Sequence, residues 1–306
     1  MTKRMLRCGI AALCLLGSVA ALAGPADAPA GGAPAGAGPR GPGGPGATGV
    51  PATGVPATGM PATGMPPGMR LGWQTQLGVG AIVNPEYVGS DEYQFIPIPY
   101  FEFRYLDERG TLFFANVPQG IGGYFYRRRE PDGRTFNLGA ALAPGFNVRG
   151  DEIEGLQEVD PAVEARLLLE AGSRRWGFQA TLAQDVGNGH EGAYLDVSLS
   201  RQGRIGSRGG FYAVGPVLRI GDDAYKDTLF SVTEAESATS GLPAYEAEAS
   251  LERFGVQALV SLPVGKGPWR FTAIGRASRL FDEAAESPVV VEENQFFFLT
   301  ALTRTF

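Results

Sequence analysis

The run Pro161-Ala-Val-Glu-Ala-Arg-Leu-Leu-Leu-Glu170 sorts its side chains by parity. Val163, Ala165, Leu167 and Leu169 fall on one side of an extended chain and Glu164, Arg166 and Glu170 on the other. A helix with about 3.6 residues per turn would mix the two sets, so the run reads as a strand with one apolar and one charged face. Residues 244–252, Ala-Tyr-Glu-Ala-Glu-Ala-Ser-Leu-Glu, repeat the pattern, with Tyr245, Ala247, Ala249 and Leu251 opposite Glu246, Glu248, Ser250 and Glu252.

Working outward, the same alternation marks residues 71–83, 93–105, 111–117, 120–128, 134–148, 176–184, 191–201, 211–220, 254–262, 269–280 and 295–306. Most of these run about nine to fifteen residues, where a soluble strand has about five or six and a tilted strand crosses a bilayer in about nine to eleven. Aromatic residues gather near the ends, as at Tyr100, Phe101, Phe103 and Tyr105, Trp176 and Phe178, and Trp269 and Phe271. A soluble sandwich or lipocalin-like core would use such residues inside, whereas a membrane barrel uses them as interfacial girdles. Strand length, the leader described next and the lack of core-length helices favour an all-β, antiparallel up-and-down transmembrane barrel. Thirteen candidate segments conflict with the even number such a barrel needs. We expect about twelve strands, within ten to fourteen, with the miscount either around Pro118 or at an extra strand over residues 225–232.

Residues 1–23 read as a cleaved secretory signal peptide: basic Lys3, Arg4 and Arg7, an apolar core from Gly9 to Leu22, and Ala21-Leu-Ala23 as a small-x-small cleavage site. Residues 24–70 read as a disordered Pro/Gly/Ala-rich spacer with a repeated Pro-Ala-Thr-Gly unit; 25 of residues 24–69 are Gly or Pro, a composition that cannot build a core. Residues 71–306 are then the barrel. Both cysteines, Cys8 and Cys14, lie in the leader, so the exported chain is expected to lack disulfides and thiolate metal sites. The barrel segment carries 21 Lys and Arg against 31 Asp and Glu, which argues against a nucleic-acid partner. Export into the Gram-negative outer membrane, with lipid around the wall, follows from these readings.

Several collinear stretches resemble one family, the outer-membrane proteins called MltA-interacting protein and OmpV. They are Asn84-Pro-Glu-Tyr-Val-Gly-Ser-Asp-Glu-Tyr93 followed by Pro97-Ile-Pro99, Gln184-Asp-Val-Gly-Asn-Gly-His-Glu-Gly192, Asp222-Asp-Ala-Tyr225 and Leu280-Phe-Asp-Glu-Ala-Ala-Glu-Ser-Pro288. The resemblance assigns Pro85, Tyr87, Gly89, Ser90, Asp91, Tyr93, Gly189, His190, Asp223, Tyr225, Ser287 and Pro288 to family loop motifs. It implies a scaffold joining a lytic transglycosylase to a murein synthase. The terminal Phe306 resembles the signal read by the barrel-insertion machinery.

Catalytic chemistry finds little footing. His190, the only histidine, could serve a barrel hydrolase if a serine such as Ser198 or Ser200 stood beside it, but no nucleophile motif accompanies it. Acidic groups at residues 151–160, 222–223, 282–286 and 292–293 lack the spacing of a calcium loop and read as solvated. No nucleotide fingerprint is present, so no cofactor, metal or catalytic residue is expected. Glu164, Arg166, Glu170, Glu246, Glu248, Glu252, Arg270 and Arg276 are expected to face the lumen, as an ion-pair network or, alternatively, as the lining of a narrow solute channel.

Overall fold

Alternation with a period of two, sustained over long segments, leaves each strand one face for lipid and one for the interior, and closure removes the unpaired edges. The computed structural model describes residues 71–145, 149 and 153–306; the leader and spacer readings lie outside them. Twelve antiparallel strands form a closed barrel in which each strand pairs with its sequence neighbours and β1 pairs with β12. They are β1 Gly72–Pro85, β2 Tyr93–Asp107, β3 Gly110–Asn116, β4 Gly120–Arg129, β5 Thr135–Gly145 and β6 Ala162–Gly172. The second half comprises β7 Trp176–Asp185, β8 Ala193–Ile205, β9 Gly210–Gly221, β10 Ser250–Val264, β11 Trp269–Leu280 and β12 Asn294–Thr305. Three short helices interrupt the loops: α1 Asp223–Phe230, α2 Glu234–Ser240 and α3 Asp282–Glu286. No helix among the described residues is long and apolar enough to cross a membrane.

The thirteenth expected segment, residues 244–252, is where the sequence reading departs from the structure. Only its end belongs to β10, and its amides are taken elsewhere: Ala247 N–H donates to Ser231 Oγ (2.8 Å) and Ala249 N–H to Asp223 Oδ1 (2.7 Å). Ala247 is buried against loop residues, and Glu246 and Glu248 are exposed outside any strand, so neither glutamate faces the lumen. Residues 225–232 are not an extra strand either; most of them form α1. Residues 110–128 do form two strands, joined across Pro118.

The two ends of the barrel differ. At the end holding both barrel termini, adjacent strands are joined by short turns, such as Gly172 to Trp176 and Val264 to Trp269, while residues 185–193, 221–250 and 280–294 make long loops at the other. Short turns face the periplasm and long loops the exterior in such barrels, which sets the orientation. Outward-facing Leu77, Val79, Val163, Leu167, Leu182, Val256 and Leu302 are exposed, an apolar belt that water would not tolerate at this extent. Trp73, Trp176 and Trp269 girdle the short-turn end, with Trp73 stacked edge-on to Tyr105 (5.3 Å) and Phe113 (5.8 Å). Tyr93, Phe95, Phe254, Phe296 and Phe298 mark the other end of the belt.

The interior is filled. Ile82, Ile98, Phe211, Leu259, Ile274, Phe297 and Leu299 pack as one buried apolar cluster, and buried Glu102, Arg104, Glu164, Arg166, Arg219 and Arg276 bring charged groups inside as well.

Candidate functional site

Glu164 on β6 is a hub among these charged groups. Wholly buried, it accepts from Arg166 Nε (2.8 Å) and the Tyr194 hydroxyl (2.9 Å), with His190 Nε2 at 3.2 Å. Arg166 also donates to the carbonyls of Pro118 (2.9 Å) and Pro144 (3.2 Å), tying β6 to the β3–β4 turn and the end of β5. A charge taken from water needs this degree of satisfaction, because the interior would otherwise penalise it by several kcal/mol.

His190 reaches this hub because Asp185, at the end of β7, folds the following loop back. Its carboxylate accepts the backbone N–H groups of Gly187 (2.7 Å), Gly189 (2.8 Å) and Glu191 (2.9 Å). Gly189 is required at its place: a Cβ there would stand 2.7 Å from Ala162. The imidazole packs edge-on to Tyr225 (4.9 Å), and its Nδ1 accepts from Gly192 N–H at 3.4 Å, which leaves the proton on Nε2 for Glu164. Both ring nitrogens are therefore engaged. Neither Ser198 nor Ser200 is among the ring's hydrogen-bond partners; Ser200 Oγ donates to the Gly177 carbonyl instead (3.3 Å).

Beside the hub, Arg219 grips Asp196 with two 2.7 Å bonds, donates to the Tyr225 hydroxyl (3.1 Å) and lies 3.8 Å over the Tyr194 ring. Fork-to-fork geometry with ring stacking is the strongest form of buried ion pair available to arginine. Glu252 contacts Arg253 at 3.0 Å, whereas Arg276, 7% exposed, donates among the described residues only to the Gln257 amide oxygen (3.1 Å). Glu170 forms a second cluster with Tyr124 (2.5 Å), Gln179 and Asn137, and Glu102 pairs with Arg104. Arg270 sits lower, half-buried, donating to Ser261 Oγ (3.1 Å). Glu164, Arg166, Glu170, Glu252, Arg270 and Arg276 are thus brought inside, in separate clusters along the lumen. The alternation rule also points inward for Tyr194, Asp196 and Arg219, which sequence reading passed over. For Tyr194 and Asp196 the signal was a polar residue at every second place of β8, and for Arg219 a lone charge in an otherwise apolar β9.

Above this network the long loops build a cap, and the motif residues are its fasteners. Tyr225, from α1, packs with Val159, Ala183, Leu229, Phe230 and Leu280. Burial raises its phenol well above the ordinary value, with the charge of Glu252 adding to the effect. Burial likewise lowers the neighbouring Lys226 ammonium, which lies 4.7 Å over the Phe230 ring and makes no hydrogen bond to a described residue. Asp222 caps α1 by accepting from Tyr225 N–H (2.9 Å), and Asp223 holds Ala249. Gly89 joins the β1–β2 loop to the β11–β12 loop: its N–H donates to Gln295 (3.2 Å) and its carbonyl accepts from Val291 (2.8 Å) and Glu292 (2.9 Å). At φ 101°, with Val290 2.6 Å from any added Cβ, that position admits only glycine. Tyr87 packs under the cap with Leu156, Val232 and Val289, and Pro85 ends β1 with its carbonyl accepting from Asn84 Nδ2 (2.6 Å). Ser90 and Glu92 close the turn (3.0 Å), Asp91 is exposed, and the Tyr93 hydroxyl accepts from Phe296 N–H (3.1 Å). Ser287, followed by Pro288, donates to the Phe230 carbonyl (2.5 Å) and so fastens the β11–β12 loop to α1.

No group of three or more His, Cys, Asp or Glu residues among those described is arranged to hold a metal ion. The acidic loop residues have structural partners instead: Glu283 accepts from the Tyr245 hydroxyl (2.6 Å), and Glu293 pairs with Arg279 (2.6 Å).

Known proteins resemble this chain in sequence. The chain is 27% identical over 239 residues to the "Putative outer membrane protein YiaT" of Escherichia coli strain K12, an alignment covering 76% of this chain and 91% of the relative. The protein of that name from Escherichia coli O157:H7 matches to the same extent. Residues 77–306, nearly the whole barrel, match the family model described as MltA-interacting protein MipA. A closed twelve-strand wall, a capped lumen and this match together make the chain an outer-membrane barrel that belongs to the MltA-interacting protein family.

Proposed function

We propose that the chain is a non-enzymatic, non-conducting outer-membrane barrel that anchors peptidoglycan-remodelling enzymes, a lytic transglycosylase and a murein synthase among them, at the inner face of the membrane. The observation that carries the reading is the filled and capped lumen. The cavity bounded by Gln179, Asp196, Ser198, Arg219, Arg253 and Arg276 leaves about 20 Å³ open to the centre of a water-sized sphere, room for a water or two rather than a solute. What remains for partners is the outer surface of the barrel, and the family's description supplies the class of partner. A hydrolase would need a free imidazole nitrogen facing a nucleophile, and both nitrogens of His190 are engaged.

Cross-linking in intact cells, followed by identification of captured proteins, tests the anchor. Recovery of a lytic transglycosylase is the expected result, and capture of no cell-wall enzyme at any site on the short turns would count against it. In planar bilayers the purified barrel should show no stable unitary conductance; a reproducible one would favour the channel reading. Lipid and ester turnover should be the same with and without His190→Ala.

A further inference from the structure

Charge is divided between the two ends of the barrel more sharply than its composition suggests. Residues 105–110, 127–135, 172–176, 201–210, 264–270 and 301–306, at the short-turn end, hold thirteen Lys and Arg against four Asp and Glu. At the cap end, residues 84–93, 116–120, 149, 153–162, 184–193, 221–249 and 279–294 hold twenty Asp and Glu against three Lys and Arg. Three of the four acids at the short-turn end are already matched, in Arg127–Asp107 (2.6 Å), Arg128–Glu130 (2.6 Å) and Arg134–Asp132 (2.7 Å). Exposed Arg109, Arg174, Arg175, Arg208, Lys266 and Arg304 form no ion pair with a described residue.

Two further features fix what these cations face. They are spread around the circumference, on the β2–β3, β6–β7, β8–β9 and β10–β11 turns and beside the terminus, so they make a ring and not a patch. Cations of this end also reach the aromatic girdle: the Arg201 guanidinium lies 5.3 Å over Trp176, and that of Arg304 lies 4.9 Å over Phe306. Aromatic rings of this kind settle at headgroup depth, and cationic side chains beside them snorkel to the same layer. A protein docks on one sector; a lipid leaflet surrounds the barrel.

We infer that this cationic ring binds the phosphate groups of anionic phospholipids in the inner leaflet, giving the barrel a selective lipid annulus at its periplasmic end. The acidic cap repels the same headgroups, so the selectivity belongs to one end. Juxtamembrane Lys and Arg attract anionic lipid strongly enough for about fivefold enrichment per well-placed contact, and salt weakens the attraction.

The test uses the full exported chain folded into vesicles of phosphatidylcholine containing about 30 mol% phosphatidylglycerol, a composition in the range that raises a useful surface potential. Spin-labelled lipids report which headgroup occupies the first shell. Phosphatidylglycerol should be enriched several-fold over phosphatidylcholine at low salt, and the enrichment should shrink at high salt. The combined variant Arg174→Gln, Arg175→Gln, Arg208→Gln and Lys266→Gln alters only exposed turn residues and should at least halve the enrichment. Arg279→Gln at the cap end should leave it unchanged and controls for general charge loss. Equal occupancy by the two lipids in the parent chain would overturn the inference, as would enrichment indifferent to the combined variant. Equal occupancy together with loss of an acidic envelope protein from cross-linked cells in that variant would assign the ring to a protein instead.

Discussion

Glu164 shows what single residues carry here. Three donors from three segments meet on one buried carboxylate, and the nearest in sequence, Arg166, is itself 6% exposed. Glu164→Gln keeps the shape and leaves Arg166 without its counter-charge. Breaking one side of such a pair costs about 3–5 kcal/mol, more than the pair adds when compared with an apolar replacement. The urea midpoint of the barrel in vesicles, read by gel mobility, should fall accordingly, and Glu164→Gln combined with Arg166→Met should recover much of the loss. A single variant as stable as the parent would show that the hub is dispensable. Parity alone placed Glu164 and Arg166 inside. It could not place His190, 26 residues away, because that contact exists only after Asp185 has gathered three backbone amides and turned the loop inward.

Elements with one lipid face and one luminal face were legible because the bilayer imposes the pattern; elements of the cap were not. Residues 244–252 alternate as cleanly as β6, yet Ala247 is buried in the cap and the glutamates beside it face water. Alternation reports an extended chain with two environments and does not say whether the apolar one is lipid or protein. The helix α2 is a second case, since its amphipathicity is slight and its order comes from its ends. Thr233 and Glu236 form a reciprocal capping box, Gly241 closes the helix in the left-handed region, and Glu236 also accepts from Gln157 N–H at 2.8 Å. Burial alone would raise the Glu236 carboxyl, but the Gln157 and Thr233 amides, the Thr233 hydroxyl and the nearby Arg149 outweigh it and hold the group below its ordinary value. A depressed acid stabilises the folded state fully above its unfolded value, about 4.3, and progressively less as pH falls through the folded value. The hydrogen-exchange protection of residues 153–159 and 233–241, taken relative to the intrinsic rate at each pH, should therefore fall below about pH 4 while the barrel strands stay protected. Glu236→Gln should show the lower protection already at neutral pH and lose most of this acid response.

For the molecule as a whole, the sequence carried the class, the orientation of the wall and the number of strands once closure demanded an even count. It did not carry the cap, because each fastening joins segments that the chain order keeps far apart. Gly89 and Gln295 are separated by 206 positions, and Ser287 and Phe230 by 57. This non-locality has a kinetic consequence. The β1–β2 and β11–β12 loops are fastened across the β1–β12 seam, so the Gly89 bonds should be the last part of the cap to form. Until then Tyr87 and Gly89 lack their partners on the β11–β12 loop, and residues 86–92 form an accessible loop. The cap is thereby a built-in record that the ring of strands has shut. Protease added at intervals during refolding should cut within residues 86–92 until β1–β12 pairing is complete and then abruptly fail to. A chain lacking residues 294–306 should stay cleavable there however long it is left to fold, because the strand whose arrival seals the cap never comes.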